Sequence, residues 1–224
     1  GRPALFFSLN AKITKPVDVN LPPPADGKMQ DPKLSDSWVL WEQGSEGHDG
    51  LRKLLTFSTV KQFWACWNHV PQPSHLLSGK KWVRMEKDKK EHISGFMLFK
   101  KGIKPEWEDE MNAYGGHFEI QLKPELGGGK IDELWNNVVL GVVGGLMEPA
   151  ELITGVRILD KLVPGLGSKL KPMIRLEIWF SDFDDEDKRY KLKGSFEEVL
   201  RTRLDGSAGV VSWGYTQVKP HGKR

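Results

Sequence analysis

The chain has 224 residues, a formal net charge of +3 and a single cysteine, Cys66. That length suits one substantial domain with flanking tails, and a lone thiol excludes a disulfide framework and points to a reducing compartment. No apolar run approaches the roughly 18 residues of a membrane span, the first residues do not read as a secretory leader, and the basic excess falls far short of a protein that coats nucleic acid.

Residues 1–34 carry Pro22-Pro-Pro24, scattered Lys and Asp and little periodicity, and read as a flexible tail. Ser37 to Gln43 alternates as a strand, with Trp38 and Leu40 on one face and Val39 and Trp41 on the other. A polar, glycine-rich turn, Gly44 to Gly50, leads to a second strand from Leu51 to Phe57. Ser58-Thr59 caps a helix from Val60 to about His69, stopped by Pro71 and Pro73. On it Val60, Phe63, Trp64 and Trp67 form a stripe; Phe63 and Trp67 face the core, and a Val60/Trp64 pair left outside is an apolar patch for a partner. Lys80 to Glu91 is lysine-rich and holds Trp82, and a solvated hairpin or loop is the expectation.

Strands from Gly95 to Lys100 and from Gly116 to Leu122 enclose Ile103-Lys-Pro-Glu-Trp-Glu-Asp-Glu-Met-Asn-Ala-Tyr-Gly-Gly116. Trp107 followed at once by Glu108, in a loop stiffened by Pro105, can do two jobs on one flat ligand. The indole covers a ring face, and the carboxylate accepts from two adjacent donors on the ring edge, such as guanine N1–H and its exocyclic amine. A cationic, N7-methylated base adds a cation–π contact. Alternatively, an isolated Trp-Glu pair is a loop anchor beside a solvated acidic run.

Further on, Gly127-Gly-Gly129 lacks the Lys-Ser/Thr of a phosphate-binding loop. Ile131 to about Gly145 is a second helix, and Glu151–Leu159 and Met173–Phe180 are strands around a Lys-, Gly- and Pro-rich loop. Asp182 to Asp187 reads as a solvated turn rather than a calcium loop, since the required spacing is missing. Ser195 is expected to cap a third helix to Leu204, Val210 to Val218 is a last strand, and residues 219–224 read as a basic tail. The sum is an α+β domain over residues 35–218: a curved antiparallel sheet of about seven or eight strands backed by three helices on one face. Neither metal-ligand spacing nor an activated nucleophile is legible, which argues against an enzyme.

Trp107-Glu108 between two strands, preceded by Phe57-Ser-Thr-Val-Lys-Gln-Phe-Trp64, resembles the eukaryotic translation initiation factor 4E family. The matching segments include Trp38-Val-Leu-Trp41, Asn68-His69, the run from Phe99 to Glu110, Gly115-Gly116, Trp135 and Ile178-Trp179. The resemblance implies a non-enzymatic protein that needs no cofactor, works in the cytoplasm and also the nucleus, and binds the 7-methylguanosine cap of messenger RNA. It assigns Trp107 to stacking, Glu108 to the guanine edge, Trp179 to the methyl group, and Lys161 and Arg175 to the phosphates. His117 matches a position that is often basic near those phosphates. Val60, Trp64 and Gly144 match the convex patch that receives a helix from scaffold factor 4G or a 4E-binding repressor, the implied protein partners.

Four departures stand out. The loop from Gly44 to Gly50 lacks the family's second stacking tryptophan; Gly47 is nearest that position and His48 is the loop's sole aromatic residue. The Lys80–Glu91 segment looks inserted and brings Trp82, so His48 and Trp82 are both candidates for the opposite face. The Val163–Lys171 loop is long, and its Lys169 and Lys171 extend the basic track. On the convex side Asn136 and Asn137 stand where the family often has Leu and Glu. These departures leave a second reading open: a cap-binding repressor or specialised isoform that does not recruit the initiation scaffold.

Overall fold

The computed structural model describes residues 31–44, 50–86, 89–163, 171–202 and 213–222. Most of the expected tail, residues 1–30, lies outside them, but Lys33 and Leu34, read as its end, already open strand β1 (Lys33–Gly44). β1 pairs with β2 (Leu51–Thr59), which runs directly into helix α1 (Val60–Trp67). The Thr59 hydroxyl accepts from the Gln62 amide, as expected of a helix cap. Phe63, Cys66 and Trp67 are buried, and Trp64 is left 42% exposed. A short helix that sequence periodicity missed, α2 (Ser74–Leu77), follows.

The lysine-rich segment is a hairpin. β3 (Trp82–Glu86) pairs with the start of β4 (Lys89–Lys100), whose later residues lie between β1 and β6 (Ile153–Lys161). β7 (Met173–Phe180), β5 (Gly116–Leu122) and β8 (Gln217–Pro220) complete a curved antiparallel sheet in the order β2-β1-β4-β6-β7-β5-β8. Lys219 and Pro220, read as part of a tail, are strand residues, and His221 after them is buried.

Two further helices, α3 (Gly128–Val143) and α4 (Glu186–Arg201), pack on the same sheet face as α1 and α2. The α-helices therefore number four among the described residues, not three. Ser195 does not cap α4 but lies within it, its hydroxyl accepting from the Glu148 amide. The cap is Asp185, which accepts from the Lys188 amide, with Glu186 and Asp187 in the first turn. The acidic run read as a solvated turn is thus a helix start, where carboxylates complement the dipole by roughly 0.3–1 kcal/mol each.

The period of two along each strand sorts the side chains. Trp38, Leu40, Phe96, Leu98, Val156, Ile158, Leu176 and Ile178 join the helices in the main core. Burying each such aliphatic chain contributes about 1.5–3 kcal/mol. The opposite, helix-free face carries a small apolar cluster of Met97, Phe99, Ile103 and Trp179, and beside it an unusual row of charged residues.

Candidate functional site

The site begins with the loop between β4 and β5. Asp109 accepts from the backbone amides of Lys104 (2.9 Å) and Met111 (3.0 Å). Asn112, 0% exposed, donates through Nδ2 to the carbonyls of Lys104 (2.9 Å) and Glu106 (2.8 Å). Gly115 presses the loop's end against β7, since a Cβ there would lie 1.8 Å from the Phe180 carbonyl oxygen. The result is a stiff platform from which Trp107 projects 39% exposed. Glu108 next to it is exposed and has no hydrogen bond or ion pair among the described residues.

Trp107 lines a cavity of about 650 Å³, together with Gln43, His117, Arg157, Leu159, Lys161, Arg175, Trp179, Pro220, His221 and Gly222. The sheet thus brings together Trp107, Trp179, Lys161, Arg175 and His117 from four distant segments. Trp179 is 2% exposed and forms floor rather than wall. Its ring meets Phe99 edge-on at 5.4 Å and His221 at 4.2 Å, and the Arg157 guanidinium lies 4.7 Å over it.

Beneath the cavity runs a buried charge network that the sequence reading did not anticipate. Glu177, 0% exposed, accepts from Arg157 Nε (2.5 Å) and Trp179 Nε1 (2.7 Å) and pairs with Arg175 Nε (2.9 Å). Burial alone would raise its carboxyl, but the Arg157 charge foremost outweighs this and holds it at about 2. Glu119 lies 3.9 Å from His117 Nε2, accepts from Lys219 (2.8 Å) and Gln121 (3.1 Å) and lies 3.6 Å from Arg175; burial would raise its carboxyl, but these partners, His117 foremost, leave it far below the usual carboxylate range. Lys161 is shifted down by desolvation and then by Arg175 and Arg157. A site that disfavours a further cation is one that an anion would relieve.

His221 was also missed. Its Nδ1 donates to the Asn112 carbonyl (3.1 Å), which leaves Nε2 to accept from His117 Nδ1–H (2.9 Å). Burial, then the His117 charge, pushes its imidazole down to about 4. His221 therefore ties β8 to the Trp107 platform as a neutral ring. The ligand atoms of His117, Glu119 and Glu177 lie within 4.8 Å of one another. Both carboxylates are already answered by arginine and lysine, so the trio is a salt-bridge node rather than a cation site.

Not every expected residue arrives. Trp82 is 2% exposed on the helix-bearing face, edge-on to Phe96 at 5.1 Å, because the hairpin tucks it into the main core; it cannot stack on a ligand in this cavity. His48 and Lys169 lie outside the described residues, and Lys171 is exposed but does not line the cavity. On the helical side, Trp64 and Gly144 are exposed and Val60 half-buried. Asn136 is turned inward: Oδ1 accepts from Trp67 Nε1 (2.9 Å) and Nδ2 donates to Gln72 Oε1 (2.7 Å) and the Asp132 carbonyl (2.8 Å). Asn137, 8% exposed, donates to the Thr202 carbonyl. Both amides stitch helices together, while Asn136 remains half-buried and Asn137 lines a cavity with Leu140 and Leu146.

The model of the family described as Eukaryotic initiation factor 4E matches residues 33–219. Eukaryotic translation initiation factor 4E-2 of Schizosaccharomyces pombe is 31% identical over 173 residues, covering 75% of this chain and 61% of that one. Eukaryotic translation initiation factor 4E of Saccharomyces cerevisiae is 31% identical over 180 residues, covering 77% and 72%. Among solved structures, Ascaris suum eIF4E-3 with m2,2,7G cap aligns with a TM-score of 0.60 at 23% identity, over 76% of this chain and 85% of that chain. Caenorhabditis elegans eIF4E-3 with the 4E-binding protein Mextli and cap analog aligns at 0.59 and 21%, over 79% and 90%. The chain belongs to the eukaryotic initiation factor 4E family.

Proposed function

We propose that the chain binds the 7-methylguanosine cap of messenger RNA and presents its helical face to a partner helix, without catalysing a reaction. The observation that carries this reading is an exposed Trp107 beside Glu108, which has no partner among the described residues, on a hydrogen-bonded platform at a cavity that Lys161 and Arg175 also line. Stacking on Trp107 contributes about 1–3 kcal/mol, and the positive charge of a methylated base adds roughly 0.5–2 kcal/mol. Glu108 accepts from the base edge in a charge-assisted, two-point contact. Lys161 and Arg175 take the phosphates, with Glu119 and Glu177 holding the arginine side chain in place. Trp179 supports the slot from below, where its edge reaches the methyl group. His48 remains the candidate for the second face. Those two carboxylates, each bound to cations, are poor general bases, which favours binding over chemistry.

The relatives named as initiation factors, and the neighbours solved with cap and with a 4E-binding protein, support the same reading. One feature favours a second: Asn136 and Asn137, bonded to Trp67 and to the Thr202 carbonyl, stand where the family often has Leu and Glu, which fits a repressor or specialised isoform with a different partner. In either case Trp64→Ala is expected to be retained on immobilised 7-methyl-GTP like the parent, yet to lose at least about tenfold in affinity for its helical partner, the range of an aromatic anchor. Pull-down and titration with the co-purifying protein check this. Loss of cap retention as well would show that Trp64 is structural.

A further inference from the structure

The hairpin of β3 and the start of β4 concentrates the charge of the chain. From Lys80 to His92 the sequence has six Lys or Arg against three Asp or Glu, a net +3, as much as all 224 residues carry together. A hairpin holds its shape in water only when one face is covered, and this one is covered on the helix side. Trp82 and Ile93, opposite each other across the hairpin, are buried in the main core. Arg84 pairs with the buried Glu42 of β1 and with Glu91 across the hairpin.

Alternation sends the residues between these to the helix-free face. There Val83 lies opposite His92, and Met85 opposite Lys90. Met85, Lys90 and His92 are exposed, and Lys90 has no hydrogen bond or ion pair among the described residues. An anchored hairpin thus holds out an uncovered thioether, an imidazole and an uncommitted ammonium side by side.

This face adjoins the cavity that Trp107 lines. The Ser94 hydroxyl bonds to the carbonyls of Gln43 (3.2 Å) and Gly44 (3.0 Å), and Gln43, opposite Gly95, lines the cavity. His92 is three residues from Gly95, a span of roughly 10 Å at about 3.4 Å per residue. Gly95 is also opposite Leu159, which lines the cavity together with Lys161. Lys81 reaches Asp160 between them (2.5 Å). On the other side of β6, Met173 is opposite Lys161, and Lys171 just before it is exposed with no ion pair among the described residues. The hairpin therefore extends the cavity at its Lys161 end, away from Trp107 and Gly222. Glu42 and Glu91 are answered by Arg84, and Asp160 by Lys81, which leaves Lys90 and Lys171 open to an outside anion.

Resting on the cap-binding reading above, we propose that the helix-free face of this hairpin binds the single-stranded RNA that follows the cap. Lys90 and Lys171 take backbone phosphates, and His92 with Met85 carries an unstacked base. A capped RNA brings a polyanion to the Lys161 end of the cavity, which is where the spare positive charge lies. No base edge is read, so the contact is tolerant of sequence.

The test titrates the full chain with 7-methyl-GTP, a 7-methylguanosine-capped dinucleotide, and a capped, unstructured RNA of about twelve nucleotides, within the size range of single-strand sites. Uncapped RNA and a polyglutamate peptide of the same length serve as further probes. The parent is expected to bind the long capped RNA about tenfold more tightly than the capped dinucleotide near 50 mM salt. Two phosphate contacts, each with a slope of about −0.7, shrink that advantage about sevenfold by about 200 mM. Lys90→Glu should lose most of the advantage and leave 7-methyl-GTP binding unchanged, and Lys90→Arg should keep it. Equal binding of the two capped RNAs by the parent would overturn the proposal, as would an advantage that survives Lys90→Glu. Polyglutamate binding tighter than that of the uncapped RNA, and lost in Lys90→Glu, would overturn it in favour of an acidic protein segment. Failure of 7-methyl-GTP to bind the parent would instead overturn the base slot itself, and the role of the hairpin with it.

Discussion

Glu108→Ala is expected to abolish retention on immobilised 7-methyl-GTP. The carboxylate is exposed, rides on a platform fixed by Asp109 and Asn112, and has no partner among the described residues. Nothing in the fold needs it, so the variant should unfold within about 0.5 kcal/mol of the parent. Two charge-assisted hydrogen bonds at roughly 1.5–3 kcal/mol each correspond to an affinity loss of a hundredfold or more. Glu108→Gln should fall between, because an amide offers one acceptor and turns a donor toward the base edge. Isothermal titration measures both variants. Parent-like binding by Glu108→Ala would remove the edge-reading role.

The largest effect on stability is expected at Glu177. This fully buried carboxylate answers Arg157 and Arg175 and orients the Trp179 indole. Glu177→Leu leaves two guanidiniums facing a buried, uncharged position, which costs about 3–5 kcal/mol. The double variant Glu177→Leu with Arg157→Met should recover much of that loss, since apolar replacements for a buried pair are often neutral. Urea unfolding of the two variants is the check, and a loss under about 1 kcal/mol in the single variant would contradict the buried-pair account.

The same network sets an acid response. Glu177 is held at about 2 in the fold against an ordinary 4.5, so its contribution is complete above about 4.5 and is lost as pH falls toward 2. His221 is held at about 4 against an ordinary 6.5. Between those values the unfolded chain takes up the proton and the folded one does not, so stability declines already from about 6.5 downward. His221→Gln should remove this first decline, while the steeper loss below 4.5 persists.

Much of the fold was legible because strand alternation and helix caps are local signals. Trp38 and Leu40 went to one face as their spacing required, and Thr59 capped its helix. Ser195 misled for the same local reason: a hydroxyl before an apolar stripe looks like a cap, but only tertiary packing shows that Asp185 starts the helix ten residues earlier. Trp107-Glu108 stood out because the two residues are adjacent. The network beneath them did not, because its members come from β5, β6, β7 and β8. Half of the signal was nonetheless present: Arg175, Glu177 and Trp179 alternate along one strand, and charges at every second position of an otherwise apolar strand mark a polar face. His221 continues the alternation of Gln217 and Lys219 and was lost to an early strand end. Trp82 was misjudged because its lysine-rich surroundings describe the hairpin's outer side, while the ring points the other way.

The most direct test of the slot is tryptophan fluorescence titrated with 7-methyl-GTP and with GTP. The parent is expected to show strong, saturable quenching by the methylated nucleotide and little by the unmethylated one at the same concentrations, and Trp107→Leu should lose the methylated response. Equal quenching by both nucleotides, or a methylated response that survives Trp107→Leu, would contradict an indole laid against a cationic base.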